Sequence, residues 1–235
     1  MLIDLGVIDY EKCYAIQKNL VEKRRFGEIT DSVIIAEHQN IYTIGRTGRI
    51  ENVLAANEIL ASRGIKVLRV DRGGDVTYHG PGQLVVYPIV DLKVRQNDLH
   101  RYLRSLEEIV IRFLKDYDVL SGRLKDKTGV WVRGKKIASV GVGASNWVTF
   151  HGLSVNINCD LKFFSMINPC GMKDVEMTSL ERLKGREIDM REAKGRMLRH
   201  CEEVIASVFT DEAIPKVATA RRSNDARINK ETALA

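Results

Sequence analysis

The stretch from about residue 98 to 117 constrains this chain most. Leu99, Tyr102, Leu103, Leu106, Ile109, Val110, Phe113 and Leu114 recur at helical spacings, so a helix here carries a continuous apolar stripe. Such a stripe is stable only when another layer covers it. SVIIAEH (32–38), IKVLRV (65–70) and QLVVYPIV (83–90) are short and rich in β-branched residues, the marks of strands. GVWVRGKKIASVGV (129–142) reads as two strands around a tight Arg-Gly-Lys turn, and GLSVNINCDL (152–161) as a strand of alternating character. A second helix covers 10–26, capped by Asp9, with Cys13, Ile16 and Leu20 on one face. A third begins near Asp189, where Glu192 makes a capping-box arrangement, and its stripe runs Ala193, Met197, Cys201, Val204, Ile205 and Val208. Strands alternating with helices and hairpins predict a mixed α/β domain over 1–215, with a smaller C-terminal subdomain from about 165. Residues 216–235 are polar and free of aromatics, which predicts a frayed tail.

At 235 residues the chain is long enough to bury a core without disulfides or structural metal. Its net charge of +6 suits any acidic partner. No interleaved aromatic–basic run marks a nucleic-acid surface, and no apolar run approaches the roughly 20 residues of a membrane helix. The N-terminal residues lack a secretory pattern, which predicts a cytoplasmic protein with reduced thiols. Cysteines 13, 159, 170 and 201 form no C-x-x-C pair, so neither a zinc site nor a redox couple is expected.

The four cysteines are not alike. Cys13 and Cys201 fall on apolar helix stripes and read as core filler, and Cys159 ends a strand and reads as structural. Cys170 sits in MINPCGM, where Pro169 stiffens the chain before it and Gly171 permits close approach or positive φ after it. That is the setting of a presented thiol, a candidate nucleophile. An ordinary thiol is only a few per cent ionised at neutral pH, so a nucleophilic cysteine wants a cationic neighbour. The 129–142 hairpin offers Lys135 and Lys136, which strand alternation puts on opposite faces; the sequence leaves open which of them turns to the site.

Between two strands, Arg72-Gly73-Gly74-Asp75-Val76-Thr77-Tyr78-His79-Gly80-Pro81-Gly82-Gln83 crowds four glycines among Arg, Asp, Thr, His and Gln. Glycines let the main chain pass close to a ligand while the polar side chains supply donors, so this segment is a candidate pocket wall. It matches neither the Walker nor the dinucleotide spacing. His79, or His151 in the polar strand NWVTFHGLSVNI (146–157), is the candidate base if the chemistry is that of a cysteine hydrolase.

Together, RGGDVTYHGPGQLVVYPIVDL, GVWVRGKKIASVGV, NWVTFHGLSVNINCDL and FFSMINPCGM followed by TSL closely resemble the octanoyltransferase family across roughly residues 40–180. The resemblance implies the fold of the biotin and lipoate protein ligases and transfer of octanoate from acyl carrier protein to a lysine of lipoyl domains. Those acceptors are the lipoyl domains of 2-oxoacid dehydrogenase complexes and the glycine cleavage H protein. No cofactor is implied. Cys170 is implied as the acyl-carrying nucleophile and Lys136, directly before Ile-Ala, as its partner. Substrate contacts are implied for Arg72, Gly73, Gly74, Asp75, Val76, Thr77, Tyr78 and His79, for Ser139, Val140 and Gly141, and for Gly152, Leu153 and Ser154. Ser139 stands where the family more often has alanine, which leaves a backbone role intact. An ATP-dependent lipoate or biotin ligase on the same fold is the alternative. A non-catalytic module that binds carrier or lipoyl domains has no use for a thiol beside a lysine.

Overall fold

A seven-stranded sheet runs through the molecule, and the computed structural model describes residues 1–93 and 97–207 around it. The chain begins β1 (Leu2–Val7), α1 (Tyr10–Arg25), β2 (Ser32–Glu37), β3 (Ile41–Ile44), α2 (Asn57–Ser62), β4 (Lys66–Arg69), β5 (Val76–His79) and β6 (Gln83–Ile89). It continues α3 (Leu99–Lys115), β7 (Gly122–Leu124), β8 (Lys127–Val132), β9 (Lys135–Ser145), β10 (Val148–Asn156), α4 (Leu180–Lys184) and α5 (Met190–Ser207). The large sheet has the order β1-β2-β6-β10-β9-β8-β7, parallel only between β1 and β2. A second sheet of three strands has the order β4-β3-β5. The expected mixed α/β architecture is present.

The helices start where short polar side chains relieve unpaired amides. Asp9 Oδ1 accepts from the Lys12 amide at 3.1 Å, Asp98 Oδ1 from Arg101 at 2.9 Å, and Asp189 Oδ1 from Arg191 and Glu192 at 2.7 and 3.1 Å. The α3 stripe lies on one face of the large sheet, where Leu106, Ile109, Val110 and Phe113 pack against Leu84, Val86, Leu153 and Val155. Leu180, Ile188 and the α5 stripe from Ala193 to Val204 join the same cluster. On the opposite face α1 brings Cys13, Leu20 and Val21 against Val85, Tyr87, Ile89, Val148 and Phe150. A sheet covered on both faces needs apolar side chains in both directions. Every residue of β6 and of β10 is accordingly buried, which corrects the alternation expected for the second of these strands.

β1, β3, β5 and β7 were not among the expected strands. β5 lies inside the glycine-rich segment read as a pocket loop, and it exists because β3 provides an antiparallel partner, pairing Ile41 with His79 and Ile44 with Val76. Among the described residues no helix is long and apolar enough to cross a membrane. Val208 of the α5 stripe and the expected tail at 216–235 lie outside the described residues.

Candidate active site

Cys170 is the only one of the four cysteines that is not buried. Burial pushes the thiols of Cys13, Cys159 and Cys201 up to about 12, so they stay protonated and inert. Cys170 occupies a one-turn 3-10 helix, Pro169–Gly171, with φ 57° and ψ 27°. A left-handed conformation at a non-glycine residue costs about 1–2 kcal/mol and persists only when neighbours hold it. Here the holders are visible. The Asn168 amide donates to Asn52 O at 2.8 Å, and Asn168 O accepts from the Gly171 amide at 2.9 Å. Asn52 Nδ2 in turn donates to Asp75 Oδ2 at 2.6 Å, while Asp75 Oδ1 accepts from the Arg49 and Val76 amides. Gly171, at φ 67°, fits beneath this carboxylate because it has no side chain; a Cβ there would stand 2.6 Å from Asp75 Oδ2.

Lys136 Nζ lies 2.9 Å from Cys170 Sγ. Its side chain is 1% exposed and passes over the Trp131 ring at 5.5 Å, and among the described residues no carboxylate pairs with it. The Lys136 backbone is gripped from the side, its amide donating to Glu176 O at 2.8 Å and its carbonyl accepting from the Thr178 amide at 2.9 Å. Lys135 points outward to Glu176 at 2.6 Å. The hairpin therefore turns Lys136 to the thiol and Lys135 to solvent.

Cys170 opens onto a cavity with a largely apolar lining. Of the residues implied as substrate contacts, Arg72, Gly73, Gly74, Asp75, Thr77, His79, Ser139, Val140, Gly141, Gly152, Leu153 and Ser154 all line it. Val76 and Tyr78 do not. They alternate with Thr77 and His79 on β5 and point into the core of the small sheet, where Tyr78 donates to Asn40 Oδ1 at 2.8 Å. At Gly152 a side chain would overlap the Val86 carbonyl oxygen, so only glycine lets β10 lie this close to β6 at the cavity wall. Tyr10, Val85 and Tyr87 complete the lining together with His151, and nothing local in the sequence marks the first three, because two separate elements, α1 and β6, bring them there. Asn52 is equally unmarked.

Both histidines of the cavity wall are engaged by neighbouring side chains. His151 Nε2 donates to Asp71 Oδ1 at 2.9 Å, and its Nδ1 is 3.4 Å from Tyr10 Oη. His79 Nδ1 donates to Gln83 Oε1 at 2.8 Å. Burial drops His79 to about 3 and His151 to about 4, the latter against the pull of Asp71, so both rings are neutral at physiological pH. Neither is the partner of Cys170, which argues against the hydrolase pairing. Arg72 is buried as well. Its terminal nitrogens donate to Gly73 O, Thr43 O and Thr43 Oγ1, whereas among the described residues buried Nε has no partner.

Comparison with known proteins gives the family. Residues 9–202 match the family described as the lipoyl protein ligase A/B catalytic domain. An octanoyltransferase of Rubrobacter xylanophilus is 47% identical over 202 residues, covering 85% of this chain and 90% of that relative. The chain belongs to the octanoyltransferase family. It is therefore an acyltransferase of protein lipoylation. The octanoyltransferase fold is shared more widely. The ATP-bound crystal structure of lipoate-protein ligase A superposes with a TM-score of 0.70 at 16% identity, covering 87% of this chain and 85% of that one. Biotin protein ligase from Aquifex aeolicus superposes at 0.53 and 17%, covering 89% of this chain and 70% of that one. At such identities the likeness speaks for the fold, and the expected biotin/lipoate ligase architecture is what is found.

Proposed function

We propose that this octanoyltransferase takes its acyl group from octanoyl-acyl carrier protein as a thioester on Cys170 and passes it to a lysine amine of lipoyl domains. The acceptors are those of the 2-oxoacid dehydrogenase complexes and the glycine cleavage H protein, in the cytoplasm. The observation that carries this reading is the 2.9 Å contact between Lys136 Nζ and Cys170 Sγ at a largely apolar cavity. An ammonium beside the sulfur favours the thiolate, which attacks the donor carbonyl. The carrier's thiol leaves and takes a proton from Lys136. The acceptor amine then attacks the Cys170 thioester, the amide bond forms, the thiolate is released, and Lys136 recovers its proton from the incoming amine. Thioester is exchanged for amide, so the transfer is downhill without ATP.

The cavity supports the remaining roles. Val85, Val140 and Leu153 offer apolar surface to the chain, and Tyr10 and Tyr87 close its far side. Arg72 Nε is a buried donor with no acceptor, and a substrate oxygen would satisfy it. Backbone amides near Gly141 or Cys170 are the candidates for holding the oxyanion of each tetrahedral intermediate.

The decisive experiment is intact-mass measurement after incubation with octanoyl carrier protein in the absence of ATP. One octanoyl mass, labile to hydroxylamine, should appear on the wild type and on Cys13→Ala but not on Cys170→Ala. Label that persists in Cys170→Ala ends the proposal. The likeness to an ATP-bound ligase favours one other reading, activation of the free acid; ATP-dependent use of free octanoate would establish it instead.

A further inference from the structure

Ile50 (50% exposed), Leu54 (55%) and Ile59 (45%) place three large exposed apolar side chains within ten residues of sequence. The same stretch is tied to the nucleophile's own segment. Val53 bridges Ile167 in antiparallel register, the Leu54 amide donates to Met166 O at 2.8 Å, and the Asn168 amide donates to Asn52 O at 2.8 Å. Two residues beyond Asn168 lies Cys170. Immediately before Ile50 runs the loop Gly45-Arg46-Thr47-Gly48-Arg49, whose Thr47 lines the groove that opens at Cys170. Arg46 and Arg49 are exposed, and Arg69 of β4 reaches the loop by donating to Gly48 O at 3.4 Å. Among the described residues none of these three arginines has a carboxylate within ion-pair distance, and Glu51 and Glu58 are the acids between 45 and 59.

Exposed apolar side chains near arginines without a carboxylate partner are unfavourable to leave in water and favourable to cover with an acidic surface. The main-chain bonds to Met166 and Asn168 fix this patch to the turn that presents the thiol. We infer that the 45–59 surface docks the acyl donor protein, an acidic carrier whose thioester arm then enters the groove past Thr47 to Cys170. Ile50 and Leu54 supply the apolar contact, and Arg46, Arg49 and Arg69 the steering charge. This inference rests on the carrier-bound donor of the proposed function and deepens it by naming the surface.

The test measures acylation of Cys170 by two donors. Octanoyl carrier protein presents the acidic surface; octanoyl-N-acetylcysteamine presents the same thioester with no protein and no charge. In Arg46→Glu/Arg49→Glu the second-order rate with the carrier should fall at least about tenfold at low ionic strength, and its salt dependence should flatten. The rate with the small thioester, and transfer from acyl-enzyme to a lipoyl domain, should stay at wild-type values. Ile50→Ser/Leu54→Ser should repeat the pattern without the change in salt dependence. An unchanged carrier rate overturns the inference. So does loss confined to the transfer step, which gives the surface to the acceptor, and so does equal loss with both donors, which makes it a support of the thiol. Self-association abolished by Ile50→Ser/Leu54→Ser at an unchanged carrier rate gives the surface to a second copy and overturns it too. A wild type that the carrier thioester never acylates defeats the proposed function before these variants are reached.

Discussion

Lys135 and Lys136 are adjacent and chemically identical, yet the fold gives them opposite surroundings. Lys135 ends in an exposed pair with Glu176, whereas Lys136 is buried with Cys170 Sγ as its polar contact. An exposed pair is worth little, about 0–1 kcal/mol. Lys135→Ala should therefore leave turnover within about twofold of wild type. In the proposed mechanism Lys136→Ala removes the proton carrier of both half-reactions, so turnover should fall at least about a hundredfold, the lower end of general acid–base contributions. Single-turnover acylation and transfer rates for both variants check this, and the reverse ranking would mean that the hairpin presents the other lysine. The thiol's own conformation depends on residues with no chemistry of their own. Asn52 and Asn168 keep a left-handed cysteine in place, and their side chains say nothing of this in sequence.

At the scale of elements, α3 does more than supply an apolar stripe. Glu107 on it is fully buried, accepting from Arg104 at 2.7 Å, from Arg123 at 3.0 Å and from the Gly129 amide at 2.9 Å. The carboxylate thus ties the helix to the edge strand β7 and its neighbour β8. Gly129 is also the residue on which Lys136 rests: a Cβ there would stand 2.7 Å from Lys136 Cε. Removing one member of a buried ionic group leaves the others unpaired, at a cost of about 3–5 kcal/mol. Glu107→Ala should lose stability of that order in urea unfolding, while Arg112→Ala, which breaks the half-exposed pair with Glu108, should lose less than about 1 kcal/mol. Equal, small losses would show that Glu107 is not the tie.

For the whole molecule, three buried histidines link stability to pH. Burial lowers His38, drops His79 to about 3 and drops His151 to about 4, against about 6.5 for the unfolded chain. A lowered folded value means that the unfolded state binds protons first as pH falls. The stability these rings contribute is complete above about pH 6.5 and is lost progressively towards their folded values. The denaturant midpoint should therefore fall between pH 7 and pH 4.5, a window above the range near 3.9–4.3 in which ordinary carboxylates titrate. The loss should be on the order of a few kcal/mol, and His79→Gln should make the slope shallower. A midpoint that stays flat across that window contradicts the burial argument.

What the sequence determined by itself was whatever rests on local spacing. The stripe of α3, the Asp caps of α1 and α5, the β8–β9 hairpin and the Pro169-Cys170-Gly171 turn each depend on residues a few positions apart. The octanoyltransferase resemblance was legible for the same reason, since its motifs are short runs. Tertiary structure decided everything that required distant segments to meet. β5 was hidden because its ladder partner β3 lies more than thirty residues earlier. The resemblance implies contacts for all of Val76, Thr77, Tyr78 and His79 as one run; once that run pairs as a strand, two of the four side chains must turn away. Lys136 was separated from Lys135 by main-chain bonds to Glu176 and Thr178, forty positions on. Asn52, Tyr10 and Tyr87 reached the site by the same route. Spacing along the chain sets which face of an element a side chain shares. Which other element that face meets is set by packing two layers on a sheet, and no local pattern encodes it.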